Sequence, residues 1–276
     1  MQAAILTEFN APVQIQEVPE IPAGPNDVRV RVDASGVCHS DLTVLQGGTS
    51  AALPMIMGHE GAGTVVEVGR EVVGVKAGDR VIASFVPVCG TCWYCLRGMT
   101  NLCELTTQMR SAPRAKQVNG QPLWTHTGLG TMSQVMTVDE SMIVRVETDL
   151  PAEQLALIGC GVTTGVGAAI NTAQVQPGSS VAVIGCGGVG QSIIQGARIA
   201  GASRIFAVDP VELKRTTATQ FGATDGIDPT AGDPVEQVRA ATGGRGVDYA
   251  FEAIGFGKTF MQAIEMVRRG GTAVLV

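Results

Sequence analysis

An unbroken apolar run followed at once by a glycine-rich turn limits how the second half of this chain can fold. The run is residues 180–184, and the turn after it reads Gly185-Cys186-Gly187-Gly188-Val189-Gly190. A strand buried on both faces of a parallel sheet has such a run. Beyond the turn, helix-like and strand-like segments alternate at residues 191–200, 204–208, 211–221, 233–241, 247–251, 258–267 and 272–276. This alternation predicts the α/β class, with a doubly wound parallel sheet.

The glycine-rich turn matches the G-x-G-x-x-G pattern of dinucleotide-binding sites, a weak signal outside a strand–turn–helix context. Here Gly185 allows the tight turn, Gly187 lets the backbone approach a pyrophosphate, and Gly190 lets the helix pack on the strand. Asp209 ends the next strand, 19 residues after Gly190. A carboxylate there accepts hydrogen bonds from ribose hydroxyls and repels a 2′-phosphate, although a turn residue before Pro210 is the alternative. The pattern therefore predicts NAD rather than NADP.

The first half of the chain reads as short strands separated by turns. Residues 28–32, Val-Arg-Val-Arg-Val, alternate with period two as a half-buried strand does, and residues 64–68 are strand-like beside a glycine-containing turn. An all-β unit of this kind predicts a distorted barrel. The period changes from Pro151 onward, where a helix is expected to begin. We assign residues 1–161 to this domain and residues 162–276 to the second.

Four cysteines lie close together in a lobe that we place at residues 86–104. They are spaced C-x2-C-x2-C-x7-C, at Cys89, Cys92, Cys95 and Cys103. Four thiolates close a tetrahedral shell around zinc and leave no open position, which predicts a structural site. A disulfide pair and an iron–sulfur cluster are the alternatives. No secretory signal is visible, which argues against disulfides, and the long final spacer fits poorly with the ferredoxin pattern.

A second set of metal ligands is spread more widely over the chain. Cys38, His59 and Cys160 offer two thiolates and one imidazole nitrogen, a set that suits zinc. Three protein ligands leave the fourth tetrahedral position open, as a catalytic zinc requires. Spacing alone does not bring these three together, since a lone cysteine or histidine is more often a buried packing residue.

Composition excludes several other classes of protein. Hydrophobic residues make up 45% and charged residues 16% of the 276, an ordinary globular balance. The net charge of −6, without a Lys/Arg cluster, argues against a nucleic-acid partner. No apolar run approaches the roughly 20 residues of a membrane helix, and no signal segment precedes the first strand-like residues. We therefore expect a cytoplasmic protein that binds neither nucleic acid nor membrane.

Three motifs in a fixed order carry a family resemblance. They read Gly36-Val37-Cys38-His39-Ser40-Asp41, Gly58-His59-Glu60-Gly61-Ala62-Gly63 and Gly159-Cys160-Gly161-Val162-Thr163-Thr164-Gly165. The chain resembles the zinc-dependent alcohol dehydrogenases of the medium-chain dehydrogenase/reductase family, close to the glutathione-dependent formaldehyde dehydrogenase and aryl-alcohol dehydrogenase branches. The resemblance implies a GroES-like catalytic domain and a Rossmann domain, a catalytic and a structural zinc, NAD, and a homodimer or homotetramer. Family members continue past Val276, so it also implies a Rossmann sheet that is incomplete at the C-terminus.

The resemblance assigns roles to residues around these motifs. Ser40 would pass a proton outward, although a serine before Asp41 also suits a helix N-cap. Asp41 would orient the histidine ligand from behind, and Glu60 would lie close behind the zinc. Phe85 matches a wall of the substrate pocket, with core packing as its alternative. The residues at cofactor-binding positions are His39, Thr164, Gly185, Gly187, Gly188, Val189, Gly190, Asp209 and Lys214.

The chemistry implied is hydride transfer from an alcohol carbon to NAD, with zinc lowering the pKa of the alcohol. Two departures from the family bear on it. Thr43 stands where many members have a histidine that ends the proton relay. Residues 48–52, Gly-Thr-Ser-Ala-Ala, lack the acids with which glutathione-dependent members attract the amino group of their substrate. We therefore expect a primary aliphatic or aryl alcohol as the substrate.

Several alternatives stay open. One is S-(hydroxymethyl)glutathione as the substrate, and another is a polyol or threonine, as in other branches of the superfamily. A zinc-stapled nucleotide-binding protein without turnover is the alternative from another class. His126, in a polar stretch beside Trp124, receives no role, because a lone histidine is usually a surface or packing residue.

Overall fold

The computed structural model describes the backbone of residues 1–276 and the side chains of residues 1–109 and 112–276. The chain divides into two compact units, Met1–Cys160 and Gly161–Val276. The boundary that we placed from the sequence, after residue 161, lies one residue further along the chain. Each unit has a buried apolar core of its own.

The first unit is built mainly of short antiparallel strands. Its strands β1 to β10 are Gln2–Leu6, Gln14–Glu17, Asp27–Ser35, Met55–Ile56, Gly61–Val68, Arg80–Ala83, Ala115–Lys116, Pro122–Thr125, Val135–Asp139 and Ile143–Arg145. They form two five-stranded sheets, in the orders β2-β1-β4-β8-β7 and β10-β6-β5-β3-β9. The all-β unit predicted for this part of the chain is confirmed.

The period-two pattern of β3 places its valines in the core. Val28 and Val30 are fully buried, and Arg31 is exposed on the other face of the strand. Val30 stands opposite Val65 of β5, and both belong to one core cluster. Burying a valine side chain contributes about 1.5–3 kcal/mol relative to leaving it exposed. A shift of one residue would move these valines into solvent, so the pattern sets the register.

Short helices connect the strands of the first unit. They are α1 His39–Leu45, α2 Leu105–Ser111 and α3 Ala152–Leu157. Two 3₁₀ turns, Cys95–Arg97 and Thr100–Leu102, lie in the cysteine lobe. The chain continues from α3 through a π-helical turn, Ile158–Val162, into α4, Thr163–Gly167, and a second π-helical turn, Ala168–Thr172.

The helical stretch Ala152–Thr172 corrects one expectation. With 21 residues it is long and apolar enough to cross a membrane by length and composition, whereas we had expected no run near that length. One such helix is a weak indication, because a core helix of a soluble protein passes the same test. Leu155 and Ala156 are buried in the core of the first unit, and Ala168 and Ala169 in that of the second.

The second unit alternates strands and helices. Its strands β11 to β15 are Ser180–Ile184, Arg204–Val208, Asp225–Ile227, Val247–Glu252 and Val267–Leu275. Its further helices α5 to α8 are Gly188–Ile199, Glu212–Phe221, Pro234–Ala241 and Gly257–Met266. All strand pairs are parallel, in the order β13-β12-β11-β14-β15. The order reverses between β11 and β14, and this confirms the doubly wound sheet.

Both faces of β11 are covered, as its unbroken apolar run predicts. Val181 and Val183 belong to the core cluster on one face, with Ile193 of α5. Ala182 and Ile184 belong to the cluster on the other face. Each position of β11 therefore requires an apolar residue, because a polar side chain on either face would be buried without a partner.

Two strand assignments differ from those made from the sequence. Asp225–Ile227 is a strand that received no assignment from the sequence, and its Asp-Gly pair is more typical of a turn. Pairing with β12, where Phe206 stands opposite Asp225, makes it a strand. β15 begins at Val267 rather than at residue 272, and its register against β14 shifts between Val247 and Tyr249.

Candidate metal and nucleotide sites

Cys38, His59 and Cys160 reach one point of the first unit from three separate elements. Cys38 is the N-cap of α1, where its backbone N–H donates to Asp41 Oδ2 at 2.9 Å. His59 lies between β4 and β5, and Cys160 lies in the first π-helical turn. The ligand atoms of Cys38, His59, Glu60 and Cys160 all lie within 4.8 Å of one another. The fold therefore brings the three predicted ligands together, with Glu60 beside them.

The spacing of the two thiols suits a tetrahedral zinc. Cys38 Sγ and Cys160 Sγ are 4.0 Å apart. Two thiolates each about 2.3 Å from a tetrahedral ion stand about 3.8 Å apart. His59 and Glu60 are 2% and 4% exposed, and burying such charged or chargeable groups is costly unless they are paired or bind a metal. The donor set fits zinc in both chemistry and distance.

The pKa values of the three ligands, Cys38, His59 and Cys160, are shifted in different directions. Hydrogen bonds with Cys160 and then His59 lower the pKa of Cys38 to about 3. The same bond with Cys38 and burial raise the pKa of Cys160. Burial lowers the pKa of His59, but hydrogen bonds with Asp41 and Cys38 outweigh it and raise that pKa to about 9. Metal binding requires deprotonated ligands, so it releases protons from this cluster.

Asp41 joins two buried histidines. Asp41 Oδ1 lies 3.1 Å from His59 Nδ1 and 2.8 Å from His126 Nδ1. The two imidazole rings meet edge to face, with centroids 4.9 Å apart. Burial raises the pKa of Asp41, but hydrogen bonds with His126 and then His59 outweigh it and hold that pKa well below its usual range. A carboxylate in this position fixes the ring orientation of a metal-binding histidine.

His126 is the site residue that we did not assign from the sequence. It is 7% exposed and directly follows β8, far along the chain from its partner Asp41. No spacing rule relates two residues so far apart, and the neighbouring Trp124 gives no sign of a buried carboxylate. Only the tertiary fold reveals the pair.

Ser40 and Phe85 each lie close to a different metal ligand. Ser40 is the second residue of α1 and is exposed, with its Oγ 3.7 Å from Cys38 Sγ. Because Cys38 is the N-cap, the alternative of an N-cap role for Ser40 is wrong. The Phe85 ring meets the His59 ring edge to face at 5.7 Å and packs against the core of the first unit. Its place in the substrate pocket stays a prediction.

A cavity lies beside Ser40. It has a volume of about 390 Å³ and is walled by α1, residues 49–52, Met55 and residues 124–127. The walls carry hydroxyl and apolar side chains, and His126 supplies the imidazole among them. Residues 49–52 belong to the segment 48–52 in which we noted the missing acids, and they line this space of substrate size.

The cysteine lobe gathers four thiols. The ligand atoms of Cys89, Cys92, Cys95 and Cys103 lie within 4.8 Å of one another, and Cys89 Sγ and Cys95 Sγ are 3.9 Å apart. The Cys92 and Cys95 backbone N–H groups donate to Cys89 Sγ and Cys92 Sγ at 3.3 and 3.4 Å. All seven cysteines of the described chain are free thiols, against the disulfide alternative. The set fits a zinc with four thiolate ligands.

The glycine-rich turn between β11 and α5 has the geometry of a phosphate site. Gly185 has φ +90°, and a Cβ on Gly190 would lie 1.8 Å from the Gly185 carbonyl oxygen. Around Gly187 and Gly188, by contrast, a Cβ would meet no atom within 4 Å. Gly187 is the N-cap of α5, so free N–H groups and the positive end of the helix dipole face this open space.

Asp209 is tied to the turn rather than free. It is 4% exposed, and its Oδ2 accepts a hydrogen bond from the Cys186 backbone N–H at 2.9 Å. Its Oδ1 accepts from the Val211 backbone N–H at 2.9 Å, and Lys214 Nζ lies 3.7 Å from Oδ2. Asp209 and Lys214 thus stand beside the phosphate turn, and their roles toward the ribose stay predictions.

Three further cofactor residues keep their roles as predictions. His39 and Thr164 are exposed, and Val189 is partly buried against the core of the second unit. Exposed side chains of this kind are available to a ligand.

Asp209→Gly is expected to weaken use of NAD and to relieve the repulsion of NADP. Loss of the ribose hydrogen bonds should lower kcat/KM for NAD about tenfold or more. Asp209→Asn is the matched variant, since it keeps the size of the side chain and one acceptor oxygen for the N–H of Cys186 or Val211 but removes the charge. Steady-state kinetics with both cofactors measure the ratio of kcat/KM for NAD to that for NADP. A wild type that uses NADP as well as NAD would contradict the role of Asp209.

Comparison with known proteins places these sites in a family. Residues 24–148 match the model of the alcohol dehydrogenase GroES-like domain, and residues 188–276 match that of the zinc-binding dehydrogenases. S-(hydroxymethyl)glutathione dehydrogenase of Photobacterium damsela subsp. piscicida is 43% identical, over an alignment that covers 100% of this chain and 77% of that protein. The chain belongs to the zinc-dependent alcohol dehydrogenase family.

Solved structures support the architecture of this alcohol dehydrogenase. An alcohol dehydrogenase zinc-binding domain protein from Burkholderia ambifaria is 36% identical with a TM-score of 0.90, covering 99% of this chain and 76% of that chain. Benzyl alcohol dehydrogenase from Acinetobacter calcoaceticus is 32% identical with a TM-score of 0.88, covering 100% of this chain and 76% of that chain. The GroES-like domain followed by a Rossmann domain is confirmed.

Membership in the family decides the class of chemistry. This alcohol dehydrogenase is an oxidoreductase that acts on CH–OH donors with NAD and zinc. The non-catalytic alternative therefore gains no support. The relatives are longer than this chain, as the resemblance implied. The homodimer or homotetramer stays a prediction.

Proposed function

We propose that this alcohol dehydrogenase oxidises an uncharged primary alcohol, aliphatic or aromatic, to the aldehyde with reduction of NAD. The cavity beside Ser40 carries the proposal, because hydroxyl and apolar side chains wall it and residues 49–52 place no charge there. A neutral substrate enters such a space without leaving a charged group unpaired. Its volume of about 390 Å³ suits a small molecule.

The residues near the cavity have different roles in the proposed reaction. Zinc held by Cys38, His59 and Cys160 would supply a Lewis acid that lowers the pKa of the alcohol, and NAD would accept the hydride. Ser40 is exposed and takes the proton from the alcohol oxygen toward water. The Thr43 hydroxyl donates to the His39 carbonyl oxygen at 3.1 Å. Because a threonine hydroxyl, unlike an imidazole, is not a base near neutral pH, the proton leaves from Ser40 to solvent.

S-(hydroxymethyl)glutathione is the second candidate substrate. The name of the Photobacterium relative favours it, and the comparisons support it better than a simple alcohol. The lining of the cavity favours the simple alcohol. Glutathione carries an amino group and two carboxylates, and residues 49–52 offer its amino group no acidic partner. The absence of an acidic side chain from residues 49–52 therefore favours the simple alcohol over the glutathione adduct.

Activity of the purified protein with NAD distinguishes the candidates. We expect kcat/KM for benzyl alcohol or 1-hexanol to exceed that for the adduct of formaldehyde and glutathione about tenfold or more, a difference of about 1.4 kcal/mol. A preference for the adduct would establish the second candidate. No NADH formation with any of these would overturn both.

An added acid gives a sharper control. Ala52 lies in the cavity wall and is exposed. Ala52→Asp should raise kcat/KM for the adduct about fivefold relative to Ala52→Asn, since one opposite charge at about 4 Å contributes about 1 kcal/mol in water. The two variants have the same size and differ in charge, so equal values would show that the adduct does not reach this wall.

A further inference from the structure

We infer that Asp228 is a second determinant of cofactor choice, because its ion pair with Arg215 keeps a cation beside Asp209 away from the 2′-phosphate of NADP. The inference concerns the cofactor and goes beyond the proposed function, since it holds for any alcohol that the enzyme oxidises. Removing Asp209 relieves the repulsion of a 2′-phosphate but leaves Arg215 engaged by Asp228. Efficient use of NADP then requires the removal of both acids.

The Arg215 side chain reaches from α6 to the ends of two neighbouring strands. Its stem packs on β13, where a Cβ on Gly226 would lie 3.5 Å from Arg215 Cβ. Its Nη1 donates to the backbone carbonyl oxygen of Asp209, directly after β12, at 2.5 Å. Its Nη2 lies 3.1 Å from Oδ2 of Asp228, directly after β13. The guanidinium therefore joins the residues that follow β12 and β13, at the carboxyl end of the sheet, where ligands bind to folds of this kind.

The loop after β13 holds the Asp228 carboxylate in place. Asp228 Oδ1 accepts hydrogen bonds from the Thr230 backbone N–H and the Thr230 hydroxyl, at 2.8 and 2.6 Å. This leaves Oδ2 as the atom that meets Arg215. The side chains of Arg215 and Asp228 are 16% and 31% exposed, so salt screens their attraction less than that of a pair fully in solvent.

Two cations of α6 stand near the predicted ribose position, and each is paired with an acid. Lys214 Nζ lies 3.7 Å from Asp209 Oδ2, and Arg215 is paired with Asp228. Rossmann domains that bind NADP use an arginine near this position for the 2′-phosphate, because the planar guanidinium binds two phosphate oxygens at once. Removing Asp209 frees Lys214, which offers only a point charge. Arg215 becomes available only when Asp228 is also removed.

Asp228→Asn tests the inference in an Asp209→Gly background. We expect this second change to raise kcat/KM for NADP about tenfold, or about 1.4 kcal/mol, and to leave kcat/KM for NAD nearly unchanged. In the wild-type background Asp228→Asn should raise kcat/KM for NADP less, because Asp209 still repels the 2′-phosphate. Asp225→Asn is the matched control, since this aspartate of β13 pairs with Arg204. In the Asp209→Gly background it should leave the ratio of kcat/KM for NADP to that for NAD unchanged.

Binding of nucleotide fragments gives a readout without turnover. Isothermal titration calorimetry with adenosine 2′,5′-bisphosphate and adenosine 5′-monophosphate isolates the effect of the 2′-phosphate. The ratio of the two dissociation constants should shift about tenfold between Asp209→Gly and the double variant, and a further Arg215→Gln change should abolish that shift.

Two outcomes would overturn the inference. One is an equal ratio of dissociation constants in the single and double variants, and the other is a shift that survives Arg215→Gln. A shift in binding that depends on Arg215, without NADH formation from any alcohol, would count against the proposed function and support the role of Asp228.

Discussion

Replacing Cys160 by serine is expected to remove one of two zinc ions and to lower kcat/KM for alcohol oxidation about a thousandfold or more, with the fold retained. A serine hydroxyl keeps its proton near neutral pH and replaces a thiolate poorly as a zinc ligand. Loss of the Lewis acid removes several kcal/mol of transition-state stabilisation. About 4 kcal/mol corresponds to a thousandfold in rate.

Three measurements check this prediction. Elemental analysis gives the zinc content, circular dichroism shows whether the fold is retained, and steady-state kinetics gives the rate. The matched control is Cys186→Ser, at a buried cysteine that belongs to neither ligand cluster. This control should keep both zinc ions. A wild type with fewer than two zinc ions per chain would contradict the two-site assignment. Turnover by Cys160→Ser within tenfold of the wild type would contradict the role of this residue.

Cys92→Ser should lower the stability of the cysteine lobe far more than it alters the cavity. Neither 3₁₀ turn of the lobe, Cys95–Arg97 or Thr100–Leu102, contains a buried residue. Without an apolar core, the lobe depends on the bonds between its thiolates and zinc for its free energy of folding. We expect a loss of several kcal/mol, or roughly 10 °C in Tm for a chain of this size.

Two local probes test the loss of the lobe. Trp93 lies in the lobe with the Arg97 guanidinium 4.1 Å from its ring centre, so its fluorescence should change when the lobe unfolds. Limited proteolysis should cut within residues 86–104 in Cys92→Ser and spare that segment in Cys186→Ser. An unchanged Tm together with full zinc content would show that the lobe folds without a closed shell of four thiolates.

The doubly wound sheet could be predicted because its signals are local. The apolar run of β11, the turn after it and the segments that alternate to Val274 each depend on neighbours within one helix or strand. Prediction failed where pairing overrides local preference. Asp225–Ile227 contains an Asp-Gly pair that favours a turn, yet β12 holds it as a strand. The first residues of β15 include Gly270 with φ +71°, which a pattern of apolar residues does not reveal.

The metal ligands could be predicted for the same reason. Cys38 and His59 each stand in a short motif, and the cysteine lobe carries its spacing within one segment. Which ligands meet was a matter of resemblance until the fold brought Cys160 to 4.0 Å from Cys38.

His126 and the cavity belong to the tertiary structure alone. The Asp41–His126 hydrogen bond joins two residues 85 positions apart, and the cavity walls come from α1, residues 49–52 and the end of β8. Periodicity and spacing describe which neighbours share a helix face or a strand face. Contacts between distant segments depend on how the strands pair and pack, so only the folded chain determines which polar groups face the substrate and which face each other.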